Sequence, residues 1–251
     1  MTGARYYAGR GLLAGLAGGA AMAAFLLAVG ERSIRKALAI EAAASGTGGG
    51  AGGHEEMFSR HTQLIGGALA GVLFGLFVGA VFGVVFAGVR HRSRARDDFA
   101  RALWLGAIGF GTLSLLPALR YPANPPAVGD PDTVGERTGA YLSLLALGVI
   151  LAVAAWLASR WLRERGTPDH VRVTAVGLGY LACVLGAYAI WPDNPDPVEV
   201  PADLIWQFRL AALGGAAALW TALAVAFGWA VRERPVTAAA PARPAEKVST
   251  S

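Results

Sequence analysis

Charged residues and cysteine are scarce in this chain of 251 residues. Only 16% of the residues are Asp, Glu, Lys or Arg, against roughly a quarter in soluble domains, and 55% are hydrophobic. The single cysteine, Cys183, excludes a disulfide framework and a thiolate metal cluster within one chain, and we interpret it as a small packing residue. With a mean hydropathy of +0.47, the composition predicts a protein whose solvent is the lipid bilayer.

Six windows are long and apolar enough to cross a bilayer, which takes about 20 residues per helix. They lie near 8–29, 63–89, 102–119, 139–159, 173–190 and 204–231. All are predicted to be α-helices, because an open sheet cannot satisfy its backbone hydrogen bonds in lipid. The first window superficially resembles a signal peptide, but it lacks a clean small-x-small cleavage site, so we expect it to be a retained span. The predicted fold class is all-α and integral to the membrane.

Catalytic and nucleotide-binding motifs are missing. The sequence has no G-x-x-x-x-G-K-[ST] loop, no H-E-x-x-H helix and no C-x-x-C pair. Apart from Arg209 and residues at their very ends, the six windows carry no Asp, Glu, Lys, Arg or His, which argues against a proton-coupled pump and an intramembrane protease. We therefore expect that the chain is not an enzyme and holds no tightly bound cofactor.

The charged residues are distributed unequally between the two sides of the membrane. With the N-terminus in the cytoplasm, most of the 22 basic residues lie inside and most of the 17 acidic residues lie outside. The positive-inside rule therefore predicts that both termini are cytoplasmic, and the net charge of +5 needs no nucleic-acid partner. Aromatic residues that mark the outer interface in this topology are Tyr121, Tyr141, Trp191 and Trp206.

A proline-rich motif occurs twice. YPANPPAV at 121–128 and WPDNPDPV at 191–198 share aromatic-Pro-x-Asn-Pro and a later Val, and each follows an odd-numbered span. An arginine stands at the mouth of the next span in both cases, at Arg137 and Arg209, and Arg60 has the equivalent place before the second span. We infer three tandem helical hairpins related by duplication. The alternative is that short proline-rich turns resemble one another by chance.

The three arginines at the helix mouths have two interpretations. The simpler one is snorkelling to the interface or pairing with loop acids such as Glu136 and Asp203. The other is a role in gating or in docking a partner.

Glycines recur every fourth residue in the first two spans. Gly67, Gly71, Gly75, Gly79 and Gly83 lie on one face of the second span, and Gly11, Gly15 and Gly19 on the first. Small residues at this spacing let helices approach closely in lipid. We interpret the two glycine faces as surfaces that pack against each other within one chain. The alternative is an interface between copies of the chain. We also expect the seam between the two helices to be a path along which an ion could pass. We expect residues 1–234 to form one six-helix domain, 42–53 to be a flexible linker and 235–251 to be a disordered cytoplasmic tail.

Acidic and amide side chains concentrate in the predicted outer loops, beside one histidine. Nitrogen together with carboxylate oxygen suits borderline divalent metals such as cobalt and nickel, and prolines reduce the entropy that a loop loses when it captures an ion. The alternative is that these side chains are simply solvated. The candidate metal ligands are His54, Glu55, Glu56, Asn124, Asp130, Asp132, Asp193, Asn194, Asp196 and Asp203.

Three segments carry a resemblance to a known family. LRYPANPPAVGDPDTVGERTGAY at 119–141, PADLIWQFRLAALG at 201–214, and the Arg and Gln before the glycine-rich span at 60–67 resemble the CbtA family of cobalt transporter subunits. The resemblance covers most of residues 5–231. It implies a multi-pass protein of the bacterial inner (plasma) membrane that acts with a small single-span partner, CbtB, bearing a short His motif.

The chain departs from that family in the first outer loop. Many members have a histidine-rich run there, whereas this sequence keeps only His54 beside Glu55 and Glu56, with His61 after them. The departure shifts metal capture toward the partner or the carboxylates.

The predicted function follows from the loops and the resemblance together. We expect a membrane subunit of a divalent transition-metal uptake system, with Co²⁺ or a similar cation as cargo and an acidic outer vestibule formed by 119–138, 191–209 and the HEE triplet. The alternative is a non-transporting membrane scaffold or accessory protein. A third candidate is a lipid-modifying membrane enzyme that uses His54 or His61 as a base.

Overall fold

The computed structural model describes residues 2–31, 34–36, 59–90, 97–125, 133–193 and 201–232. Within these ranges the chain forms helices and short turns, with no β-strand. The predicted all-α class is therefore confirmed. The linker at 42–53 and the tail at 235–251 lie outside the described residues and stay predictions.

Six helices are long and apolar enough to cross a membrane, which confirms the six predicted spans. Two of them contain a π-helical turn: Leu26–Gly30 ends the first, and Gly111–Leu115 interrupts the third. The helices are α1 (Thr2–Phe25 with its π-helical turn), α2 (Arg60–Val89), α3 (Asp98–Phe110, the π-helical turn and Leu116–Arg120), α4 (Val134–Glu164), α5 (Asp169–Ile190) and α6 (Ala202–Val231).

Local sequence sets several of these boundaries. Oγ of Ser59 accepts a hydrogen bond from the backbone N–H of Thr62 at 3.3 Å, and Oδ1 of Asp97 accepts one from Ala100 at 2.6 Å. Both side chains satisfy N–H groups that a helix start leaves unpaired. After α4 the chain turns at Gly166, whose φ of 76° is costly for other residues, and Pro168 precedes α5.

The glycine faces of α1 and α2 pack directly against each other. A Cβ at Gly75 would lie 2.5 Å from the carbonyl oxygen of Gly15 and 2.6 Å from Cα of Gly19, and a Cβ at Gly79 would collide with the Gly11 carbonyl. The two backbones touch because neither side contributes a side chain. Packing within one chain is thus confirmed for these glycines. The predicted ion passage along this seam is wrong, because backbone atoms fill it.

Helix α6 forms the centre of the bundle, where it packs against α1 and α3. Phe227, which is fully buried, lies between Phe82 and Phe86 of α2 with ring centroids 5.1 and 4.9 Å away, and Tyr7 of α1 completes the cluster. Aromatic pairs at such distances add to the packing of apolar surface.

The π-helical turn of α3 lies where this helix packs against α6. It lies just before Pro117, which lacks the N–H that a regular helix needs. Oγ of Ser114 accepts a hydrogen bond of 3.0 Å from Nε1 of Trp220. A Cβ at Gly109 would overlap the Trp220 ring. In α3, Gly109 therefore leaves space for the indole and Ser114 binds its N–H.

The hairpin arrangement holds for part of the chain. Helices α1 and α2 pack as an antiparallel hairpin, and α4 contacts both α3 and α5. Among the described residues, α5 and α6 make little contact, since α6 lies between α1 and α3 instead. The reason is shape: Gly214 and Gly215 of α6 accept Phe25 and Leu26 of the first helix. Helix α5 is left at the periphery, with most of its side chains exposed.

Candidate functional site

The two proline-containing motifs meet at one end of the bundle, which we call the loop end (residues 120–125, 133–138, 191–193 and 201–205). Nη2 of Arg120 donates to the carbonyl oxygen of Trp191 at 2.5 Å and lies 2.6 Å from Oδ1 of Asp193. The hydroxyl of Tyr121 donates to the carbonyl oxygen of Pro192 at 2.5 Å. Arg120 and Tyr121, at the start of the first motif, therefore both donate hydrogen bonds to the backbone of the second motif.

Further hydrogen bonds fasten three helices together beneath this contact. Nε1 of Trp191 donates to the carbonyl oxygen of Ala140 in α4 at 3.3 Å, and the hydroxyl of Tyr188 in α5 donates to the carbonyl oxygen of Leu116 in α3. The loop end is consequently a connected unit built on α3, α4 and α5.

Arg209 joins α6 to the same unit. Its Nη2 donates to Oδ1 of Asn124 at 3.0 Å, so the arginine that follows the second motif binds the asparagine of the first. The sequence interpretation paired such arginines with loop acids, for example Asp203. Among the described residues, the observed partner of Arg209 is a neutral amide.

A cavity of about 340 Å³ opens between the end of α3 and the first two turns of α4. We call it the loop-end cavity. Its wall mixes aromatic rings and apolar side chains with hydroxyl, amide and guanidinium groups. The described residues that line it are Tyr121, Pro122, Asn124, Val134, Arg137, Thr138 and Tyr141.

Three of the candidate metal ligands lie within the described residues. Asn124 is half-buried, and its Oδ1 already accepts the bond from Arg209. Asp193 contacts Arg120 through Oδ1, but its side chain is 87% exposed. Asp203 is exposed in the first turn of α6. No three His, Cys, Asp or Glu side chains of the described ranges are grouped as a metal site.

The other seven candidates lie outside the described residues, and their role as ligands stays a prediction. They are His54, Glu55, Glu56, Asp130, Asp132, Asn194 and Asp196.

Sequence reasoning missed an ion cluster at the opposite end of the bundle, which we call the Asp98 end. Asp98 is buried, and its carboxylate lies 3.0 Å from Nη2 of Arg90 and 2.6 Å from Nη1 of Arg101. The Arg90 guanidinium also stands 5.1 Å from the centre of the Tyr7 ring. One carboxylate therefore ties the end of α2 to the start of α3 beside α1.

Arg120 was also missed, since the sequence analysis assigned a role only to the arginines that follow each motif. The signal that could have found it is its place directly before the first motif, where an arginine can reach the equivalent turn of the second copy.

Comparison with known families decides the relationship. A family model described as "Probable cobalt transporter subunit (CbtA)" matches residues 4–232, which is nearly the whole chain. The chain belongs to the CbtA family. No protein with a curated description and no solved structure matches it.

Family membership confirms the resemblance drawn from the three sequence segments. A CbtA chain is a subunit of a cobalt transporter, so it works with at least one other chain, and its six apolar helices make it a multi-pass membrane protein.

Proposed function

We propose that this CbtA chain takes up divalent cobalt across the bacterial inner membrane, with the loop end as the outer entrance. The observation that carries this proposal is the contact between the two proline motifs through Arg120, Asp193 and Tyr121. It brings the described turns at 120–125 and 191–193, which are separate in sequence, together at one end of the bundle. Both termini are then cytoplasmic, as the distribution of basic residues favours.

The entrance works by concentrating cations and replacing part of their water shell. Carboxylates at a membrane surface raise the local concentration of divalent cations. Asp193 and Asp203 are both exposed to solvent, so a passing ion can approach both carboxylates, while the ion pair between Arg120 and Oδ1 of Asp193 restricts the turn at 191–193. The remaining loop acids and His54 supply further oxygen and nitrogen ligands of the kind that cobalt accepts.

The path through the membrane does not follow the α1–α2 seam, which backbone atoms fill. The loosely packed side of the bundle at α4 and α5 is the part of this chain that another subunit can complete. The partner we propose is a small single-span subunit that carries histidine, because the outer loops of this chain are poor in histidine. The protein then acts as a permease subunit, without catalysis and without a resident cofactor.

Radioactive cobalt uptake tests this proposal in cells that carry the chain with its native partner. Replacement of both Asp193→Asn and Asp203→Asn is expected to lower the initial rate several-fold at low cobalt, because the local cation concentration falls. The control is Glu164→Gln, an exposed acid at the far end of α4. If uptake requires the chain but is unchanged when these two acids are replaced, the proposed entrance is wrong. Uptake that does not depend on the chain favours the scaffold alternative.

A further inference from the structure

The loop-end cavity has a wall that suits a negative group better than a metal cation. Arg137 is the charged residue among the described residues that line it, and no described carboxylate does so. Neither Asp193 nor Asp203 is part of this wall. A bare divalent cation here would face a guanidinium of the same sign of charge, which is unfavourable.

Each polar side chain of the wall can donate a hydrogen bond. A guanidinium carries five N–H donors and no acceptor, so Arg137 retains donors whatever other contact it makes. Thr138 and Tyr141 bring hydroxyl groups. Oδ1 of Asn124 accepts from Arg209, and this orientation leaves the Asn124 amide nitrogen as a donor with a second positive charge behind it.

We propose that the loop-end cavity is an oxyanion site that takes a phosphate group. Planar guanidinium groups bind phosphate oxygens through paired, charge-assisted hydrogen bonds, and hydroxyl donors complete the shell. The volume of about 340 Å³ is at the lower end for small-molecule sites, which fits a phosphate group with a short substituent.

Two sources can supply this phosphate. The rings of Tyr121 and Tyr141 and the apolar Pro122 and Val134 form the rest of the wall, and tyrosine is enriched at the headgroup level of a bilayer. A phospholipid headgroup is therefore one source, and phosphate from solution is the other. The chemistry of recognition is the same for both. Neither of the described acids of the proposed cobalt entrance, Asp193 and Asp203, lines the cavity, and neither proposal requires the other.

The binding test uses the full chain purified in a maltoside detergent, which carries no phosphate, with endogenous lipid washed out. Dihexanoyl phosphatidylglycerol, below its micelle concentration, and inorganic phosphate are titrated separately, with chloride at matched ionic strength as the blank. Unfolding temperature is followed against ligand concentration, because a ligand that binds the native state raises it. We expect at least one of the two phosphates to stabilise the wild-type chain in a saturable way.

Substitutions assign the effect to the cavity. Arg137→Gln is expected to weaken binding roughly tenfold or more, since a charged hydrogen-bond donor is lost. Arg160→Gln is the matched control, because this arginine lies at the other end of α4 with its side chain 37% exposed, and the variant should bind phosphate as tightly as the wild type does. Tyr141→Phe removes one hydroxyl but keeps the aromatic ring in the cavity wall, and it should weaken phosphate binding several-fold. It is the variant to test if Arg137→Gln does not fold.

Each outcome has a defined meaning. Stabilisation by the lipid alone identifies a headgroup site, and stabilisation by inorganic phosphate, with or without the lipid, identifies a site open to free phosphate. Absence of a saturable shift with both ligands overturns the proposal. So does equal affinity in the wild type and in Arg137→Gln, or in Tyr141→Phe where the arginine variant is lost. Cobalt uptake does not enter this measurement, so a failure of the proposed transport role is distinguished from a failure here.

Discussion

Arg120 and Asp193 form an ion pair of 2.6 Å that joins the two copies of the proline motif. The same guanidinium nitrogen donates to the Trp191 carbonyl at 2.5 Å, so the arginine binds both the backbone and the side chain of the second loop. The two partners are unequal, because the Arg120 side chain is 23% exposed and that of Asp193 is 87% exposed. The hydrogen bond from Arg120 to the Trp191 carbonyl should therefore stabilise the fold more than the ion pair with Asp193 does.

This inequality predicts a ranking of two variants. Asp193→Asn should lower the free energy of unfolding by less than about 1 kcal/mol, since water and salt screen an exposed ion pair. Arg120→Gln also loses the bond to the Trp191 carbonyl and should cost about 1–3 kcal/mol. Thermal unfolding in detergent measures both, with Arg160→Gln as the control. Equal losses for the two variants would show that the backbone contact contributes nothing.

The glycine seam gives a prediction with a control on the same helix. Gly75→Ala places a methyl group 2.5 Å from the Gly15 carbonyl oxygen, so α1 and α2 must separate, at a cost of about 1–3 kcal/mol. Gly67→Ala meets no atom within 4 Å, although Gly67 belongs to the same four-residue repeat. It should be neutral or slightly stabilising, since alanine favours helices. Unfolding measurements on the two variants check this, and a cost that is equal at both positions would contradict the close contact.

The Asp98 end provides a test of buried charge. Asp98→Asn leaves Arg90 and Arg101 without their shared carboxylate and should destabilise the chain by about 3 kcal/mol. Asp97→Asn is the same change one residue earlier, at an exposed helix cap where asparagine serves equally well, and it should be nearly silent. Comparison of the two unfolding temperatures isolates the ion cluster. A silent Asp98→Asn would mean that the two arginines find water instead.

Hydropathy predicted the number and place of the spans well, because crossing a bilayer needs a long apolar run whatever its neighbours are. The repeated proline motif singled out residues near 121 and 191, and these lie side by side in the structure. The glycine repeat identified the α1–α2 contact, since small residues mark close helix packing in lipid.

The arrangement of helices around the bundle was not predictable in the same way. A span that is apolar on every side gives no signal for which face meets protein, so the position of α6 between α1 and α3 depended on the fit of Gly214 and Gly215 to Phe25 and Leu26. The Asp98 cluster was hidden for another reason. Charges near helix ends are common, and only the fold brings Arg90 and Arg101 to one carboxylate.

Orientation in the membrane is the claim on which the proposed entrance depends. Glu136 and Glu164 are exposed glutamates near the two ends of α4, with Glu136 at the loop end. Single cysteines at these positions, in a Cys183→Ala background, can be labelled in intact cells with a membrane-impermeant maleimide. We predict that the cysteine at 136 reacts from outside and that the cysteine at 164 reacts only after lysis. Labelling at 164 in intact cells, with 136 protected, would place the loop end in the cytoplasm and contradict the account.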